Sequence, residues 1–410
     1  MLCVSVYLDH AATTPVLPEV ADVVAQAMGE LGNPSSMHSA GRAARRRVEE
    51  AREDVASALG ARPSEVLFTS GGTESDNLAV KGLYRHARDA DPARRRLVVS
   101  AVEHSAVIDS VAHLEEREGA RVTWVPCARD GRVAAEAFRT AIEDPSEGGP
   151  GTVAAVLDMW VNNETGVVQP VAEIAALAAE HGLPLHTDAV QAVGKVPLDF
   201  AGSGVDLLAA SGHKVGGPVG AGLLIARDQA PLQAISHGGG QERQLRSGTL
   251  AMPLVVGMAL AVRRAVDARE GEAARIGALR DRLLAGVLER IPGARVTGEW
   301  TPGDVLGRSP AHAHVLLPDC EADSLLFLLD AAGVQCSTGS ACHAGIPHPS
   351  HVVLAMGYSE EEARGALRLT LGWTSTPDDV DRFLAALPEA VGRAQRAHAA
   401  TLARAAARGA

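Results

Sequence analysis

The chain has 410 residues, too many for one ordinary domain at roughly 150 residues each. Acidic residues outnumber Lys and Arg by 50 to 38, the formal net charge is −12, and aromatics are 3%, so neither a basic nucleic-acid face nor a base-stacking platform is expected. Hydrophobic residues at 46% and charged residues at 21% describe a globular chain, and no apolar run reaches the roughly 18 residues of a membrane span.

The opening MLCVSVYLDHAATT has no basic flank and reaches Asp9 and His10 at once. It does not read as a secretory signal, and the protein is expected in the cytoplasm. From about residue 60 to 230, strand-like and helix-like segments alternate. The strand candidates are EVLFTS (65–70), RLVVS (96–100), RVTWV (121–125), TVAAVLDMW (152–160), LPLHTD (183–188), VDLLAAS (205–211) and AGLLIAR (221–227). They are apolar on both faces, as in a parallel sheet covered by helices on both sides. Periodic helical stretches at 73–87, 105–118 and 171–181 lie between them, which predicts one large α/β domain. Residues 250–290 read as one or two long helices. AHAHVLLP (311–318), a helix over 321–332, a Gly/Ser/Cys loop (336–346), ALRLTLG (366–372) and a helix from Pro377 complete a smaller α+β domain. The tail from Ala390 is helical, with Arg393, Arg396, Arg404 and Arg408 near one face. That face is either solvated or turned to an acidic partner.

The chemistry-bearing motifs gather at predicted strand ends. SGHKVGGPVGAG (211–222) follows a strand directly. Small residues there let backbone approach a ligand, and a partly desolvated Lys214 can act as an amine nucleophile, as a Schiff-base lysine for pyridoxal phosphate must. Ser211 and His213 stand beside it for a phosphate. The glycine pattern matches neither a P-loop nor a dinucleotide fingerprint. In HTDAVQAVGK (186–195), Asp188 ends a buried strand, where it either caps a helix or pairs with a pyridinium nitrogen. Gln191 follows within reach of a ring's phenolic oxygen.

FTSGGTESDN (68–77) joins a strand to a helix N-terminus through Gly72 and Thr73. Such an end can hold phosphate, although Glu74 and Asp76 also suit the helix dipole with no ligand. His104 in EHSA can stack on an aromatic cofactor and move protons, as a catalytic residue, or simply be hydrogen-bonded. NNETG (162–166) and GGGQERQLRSGT (238–249) bring Asn163, Glu164 and Thr249. Five cysteines, Cys3, Cys127, Cys320, Cys336 and Cys342, are too few and too scattered for a disulfide framework. Cys342 in CSTGSACHAG (336–345) sits in a small-residue loop, where a thiolate is a strong nucleophile. No zinc spacing is met, and no metal is expected beyond a transient iron–sulfur ligation at Cys342.

Together YLDHAATTP (7–15), NPSSMH (33–38), FTSGGTESDN, EHSA, NNETG, HTDAVQAVGK, SGHKVGGPVGAG, GGGQERQLRSGT and STGSAC resemble, in order and spacing, the cysteine desulfurases of the NifS/IscS type. The resemblance covers about residues 5–390. It implies the aspartate aminotransferase-like fold (fold type I of the pyridoxal-phosphate enzymes). The large domain would span 15–255. A small domain carrying the cysteine loop would span 1–14 and 256–390, and a helical tail 391–410. It implies a homodimer with pyridoxal 5′-phosphate as cofactor and L-cysteine as substrate. Alanine would be released and a persulfide left on Cys342, for a sulfur acceptor such as an iron–sulfur scaffold or a tRNA-thiolation enzyme.

By the same resemblance Lys214 is the Schiff-base lysine, Asp188 the ring-nitrogen partner, Gln191 the phenolic-oxygen partner and His104 the stacking residue. Gly72, Thr73, Ser211 and His213 hold phosphate, as does Thr249 of the other subunit. Asn163 and Arg368 hold the substrate carboxylate, and the bidentate Arg fork suits that group. Two positions depart from the family pattern: His10 stands where Asn is commoner, with little effect expected, and His343 follows the nucleophile where Ser or Thr is usual. The competing readings are a selenocysteine lyase or aminotransferase of the same fold, and a catalytically silent sulfur-transfer scaffold.

Overall fold

A computed structural model of the chain describes residues 5–339 and 349–409. All the predicted strands of the first region form, in one seven-stranded sheet. Its order is Val66–Thr69, Gly222–Ala226, Leu207–Ser211, Leu185–Asp188, Val153–Leu157, Arg96–Ser100 and Arg121–Val125. Every strand but the edge strand Arg121–Val125 is buried along its whole length. That burial is why they read as continuous apolar runs rather than alternating ones.

One strand departs from the parallel pattern. Gly222–Ala226 runs antiparallel to both neighbours. The connection 212–221 is shorter than the dozen or so residues a parallel crossover needs, so the chain turns back beside the strand it has just left. The remaining strands point the same way and end on one edge of the sheet.

Helices Gly72–Ala90 and Ser105–Glu118 cover one face through Leu78, Val80, Leu83, Val107 and Val111. The other face receives Ser39–Leu59, Val171–Glu180 and the first half of Met252–Arg290. That last segment is one continuous helix. Its second half, from Ile276 to Val287, enters a separate apolar cluster. This cluster joins the antiparallel strands His312–Leu316 and Ala366–Thr370, the helix Ala322–Ala331 and the closing helix Pro377–Gly409. Val6–Tyr7 pairs with Val334–Gln335 in parallel beside it. Among the described residues no helix is long and apolar enough to cross a membrane.

One buried ion pair ties the 238–249 loop to this frame. Arg52 grips Glu242 through two bonds, Nη1–Oε2 at 2.8 Å and Nη2–Oε1 at 2.7 Å, and also donates to Val66 O. Glu242 Oε2 also accepts from Phe68 N at 2.8 Å, and only 2% of the residue is exposed. Arg52→Met strands a buried carboxylate, so a loss of about 3–5 kcal/mol in denaturant unfolding is expected. The double variant Arg52→Met, Glu242→Gln should recover part of it. An unchanged unfolding midpoint in the single variant would contradict this account.

Candidate active site

Strand Leu207–Ser211 ends in the tight turn Gly212–Lys214. Lys214 Nζ donates to the backbone carbonyls of Ala11 and Ala12, both at 2.6 Å. The N-terminal segment 9–14 therefore crosses the sheet edge as a strap. Ala11 N is held by Thr370 Oγ1 at 2.8 Å, Thr14 N by His213 O at 3.1 Å, and Thr13 Oγ1 lies 3.3 Å from His213 Nδ1. Burial, then the Lys214 and Lys195 charges, push His213 down to about 4, so its ring is neutral near pH 7.

Asp188 ends its strand nearly buried, with Oδ1 accepting from Val190 N at 2.8 Å. Burial, then Asp76, push its carboxyl up to about 6, while the His104 charge opposes them. A carboxylate so placed gains from a cationic partner. His104 caps the helix Ser105–Glu118, its Nδ1 accepting from Ala106 N at 3.2 Å. Ligand atoms of Asp76, His104 and Asp188 lie within 4.8 Å of one another. Asp76 is engaged by His186 Nε2 at 3.0 Å. Gln191 donates from Nε2 to Ala11 O at 3.0 Å, and its Oε1 accepts from Lys195 Nζ at 2.7 Å. Lys195, Gln191 and Lys214 are thus joined through one carbonyl.

Arg368, in the middle of Ala366–Thr370, is 4% exposed. It donates from Nη1 to Asn163 O at 3.0 Å and from Nη2 to Asp9 Oδ1 at 2.9 Å. Its Nε and the Oδ1 of Asn163 are buried with no partner among the described residues. Buried polar atoms are rarely left so, and an unpartnered Arg N–H and an unpartnered amide oxygen, on two residues joined through Asn163 O, suit an amino-acid head group. Asn162 instead shapes the turn that carries Asn163. Its Oδ1 accepts from Glu164 N and Thr165 N, and its Nδ2 donates to Val102 O. Glu164 is buried and hydrogen-bonded to Ser350 Oγ.

At the opposite end of the site, no side chain caps the helix Gly72–Ala90, which leaves its first amides for an anion. A Cβ at Gly72 would meet Val190 Cγ2 at 2.8 Å, with Ser211 Cβ 3.8 Å away. Only glycine leaves that cradle open. Thr73 is exposed there. Thr249 is also exposed, and among the described residues none of the site's hydrogen bonds includes it. Its loop is fastened nearby by Arg246 Nε to Glu74 Oε1 at 2.9 Å.

Cys342 and its neighbours His343 and His348 lie outside the described residues. His351 is described, with Nε2 2.9 Å from Glu103 O. Burial pushes Cys127 up to about 11 and Cys320 and Cys336 to about 12, so these three are thiols at neutral pH and poor nucleophiles.

Residues 6–383 match the aminotransferase class-V family. An IscS-like cysteine desulfurase of Mycobacterium tuberculosis (strain ATCC 25618 / H37Rv) is 53% identical, over 95% of this chain and 97% of its own. The chain belongs to the cysteine desulfurases of the NifS/IscS type. Among solved structures, a NifS-like protein superposes with a TM-score of 0.83 at 32% identity, covering 95% of this chain and 99% of its own. A second, SspA in complex with cysteine, gives 0.75 at 34% identity over 89% and 98%. The desulfurase fold expected from the sequence, a mainly parallel α/β sheet with a smaller α+β part, is the one observed.

Several residues of this desulfurase's site escaped the sequence reading. Asp76 reads as a helix-dipole residue but is buried against His186. Asp9 pairs with Arg368, and the carbonyls of Ala11 and Ala12 receive Lys214. Glu103 and Asp158 are buried carboxyls pushed well above the usual range, chiefly by desolvation. Lys195 was legible in principle: it stands one helical turn after Gln191 in HTDAVQAVGK.

Proposed function

We propose that the chain carries out the desulfuration with pyridoxal 5′-phosphate as cofactor, converting L-cysteine to L-alanine and leaving the sulfur as a persulfide on Cys342. The observation that carries this reading is the pair of unpartnered buried atoms, Arg368 Nε and Asn163 Oδ1, next to the strap that receives Lys214. The residues fit the cofactor. A desolvated carboxyl, Asp188, suits a ring nitrogen. The Gly72 cradle, Thr73, Ser211 and His213 suit its phosphate. His104 suits the ring face and Gln191 the phenolic oxygen. Pyridoxal 5′-phosphate, when bound, supplies an electron sink adjoining the substrate's Cα.

The side chains supply the rest. Asp188 holds a proton on the ring nitrogen. Arg368 and Asn163 grip the substrate's head group and so fix its orientation. Lys214, drawn from its two carbonyls, removes the Cα proton and later returns one. Cys342 thiolate attacks the substrate sulfur: an S–S bond forms and the C–S bond breaks. One cysteine and one thiol give one alanine and one persulfide. The persulfide then passes to an acceptor, an iron–sulfur scaffold or a tRNA-thiolation enzyme. In this reading the protein works in the cytoplasm as a homodimer, with Thr249 reaching the partner's phosphate site. It is divided at 15–255 and at 1–14 with 256–390, the tail 391–410 extending the closing helix.

The test is incubation of the cofactor-loaded protein with L-cysteine and a reductant, measuring alanine and sulfide together. Equal amounts of the two are expected. Keto acid without sulfide would indicate an aminotransferase. Borohydride reduction followed by peptide mapping should label Lys214; label on Lys195 or Lys81 would overturn the assignment.

A further inference from the structure

Lys195, and its link to Lys214 through Gln191 and Ala11 O, is not used by the chemistry above. Lys195 Nζ holds Gln191 Oε1 at 2.7 Å, Gln191 Nε2 holds Ala11 O at 3.0 Å, and Lys214 Nζ holds the same oxygen at 2.6 Å. Both polar side chains of the turn 191–195 are therefore spent on orienting one amide and, through it, one carbonyl. An amide anchored at its oxygen presents its N–H₂ in one direction only.

The two charges that act on Lys195 are both cationic. Lys214 stands on the turn Gly212–Lys214 and Arg368 on the strand Ala366–Thr370, and these are the charges that act on Lys195. His213 of the same turn, His10 of the strap and His312 of the strand His312–Leu316 all feel Lys195 in turn. The carboxylates in this region face elsewhere: Asp9 pairs with Arg368, and Asp379 acts on His10. A second amine tethered to Lys214 in this way, and kept without a carboxylate of its own among the described residues, is an unusual use of a part-buried charge.

We propose that Lys195 is a positioning residue for Lys214, fixing Gln191 through Oε1 and, through the Gln191–Ala11 bridge, setting how readily Lys214 releases and takes back its proton. This rests on Lys214 being the cofactor-bearing lysine. Burial, then the Lys214 and Arg368 charges, push Lys195 down to about 7. A positive charge on either lysine opposes one on the other. Below pH 7 Lys195 carries its charge and so opposes positive charge at Lys214. As pH rises through 7, Lys195 gives up its charge and that push fades.

The experiment uses the cofactor-loaded protein with Lys195→Met and Lys195→Arg. The cofactor's visible absorption is titrated against pH, and kcat and KM for L-cysteine are measured separately. Lys195→Met should lower kcat about tenfold or more with little change in KM. It should also move the absorption midpoint upward by about one unit, since a nearby positive charge has gone. Lys195→Arg keeps a cation that does not titrate here and should restore kcat to within about threefold, with no fading of the push through pH 7.

A folded Lys195→Met with wild-type midpoint and kcat overturns the proposal. So does a change confined to KM, which would make Lys195 a substrate contact. If Lys195→Met does not fold, Lys195→Arg decides alone: a pH profile identical to wild type refutes it, and loss of the dependence near pH 7 supports it. Borohydride label on Lys195 in the wild type sinks the reading of the whole site. Label on Lys214 with a silent Lys195→Met sinks this inference only.

Discussion

Cys342→Ser is expected to stop sulfur transfer while leaving cofactor and L-cysteine binding intact. Lys214, Asp188 and the Arg368–Asp9 clamp are untouched by the change. Adding L-cysteine should therefore still alter the cofactor's visible spectrum, because abstraction of the Cα proton does not require the thiol. Alanine should fall to background. A serine hydroxyl, which keeps its proton at neutral pH, does not replace a thiolate at sulfur. Cys336→Ser is the matched control. Burial, then Asp9 and Asp330, push that thiol up to about 12, and it packs against the second apolar cluster, so the variant should keep most of its turnover. A dead Cys336→Ser beside an active Cys342→Ser would move the nucleophile upstream and refute the loop assignment.

Asp188→Asn is expected to retain cofactor and to lower turnover by about two orders of magnitude or more. A carboxylate that raises a partner's pKa by one unit supplies a factor of ten, and an amide supplies no such charge. Turnover within about threefold of wild type would mean that Asp188 only caps the turn at Val190. The same residue makes a second, opposite expectation for the cofactor-free chain. Its carboxyl sits near 6, above the ordinary unfolded value of about 4. The folded state then binds this proton more tightly, so stability falls as pH rises from about 4 to about 6 and stays lower above that. Asp188→Asn removes the penalty. The cofactor-free variant should be at least as stable as wild type in urea at pH 8, and the advantage should shrink below pH 4. A variant less stable at pH 8 would contradict the desolvation account.

The sequence by itself determined the strands, the burial on both faces of all but the edge strand Arg121–Val125, and the chemistry of their ends. Continuous Val, Leu and Ile runs followed by Gly, Ser, Asp and Lys are local signals. Strand ends and helix starts accordingly fall where the motifs placed Asp188, Ser211, Lys214 and His104. The order of the motifs was enough to identify the family, because each one is short and contiguous.

Tertiary structure alone decided what meets what. The antiparallel return of Gly222–Ala226 follows from a connection too short for a crossover. The strap 9–14 reaches Lys214, Gln191 and Arg368 across the whole length of the chain. Asp76 finds His186 in the same way, and Arg52 finds Glu242. Backbone carbonyls such as those of Ala11 and Ala12 leave no trace in side-chain identity, so no motif marks them as lysine acceptors. Desolvation is likewise collective: the upward push on Asp188 and the downward push on Lys195 come from everything packed around them. Residue type says which groups can titrate, and only the closed structure, by excluding water and bringing like charges together, says in which direction.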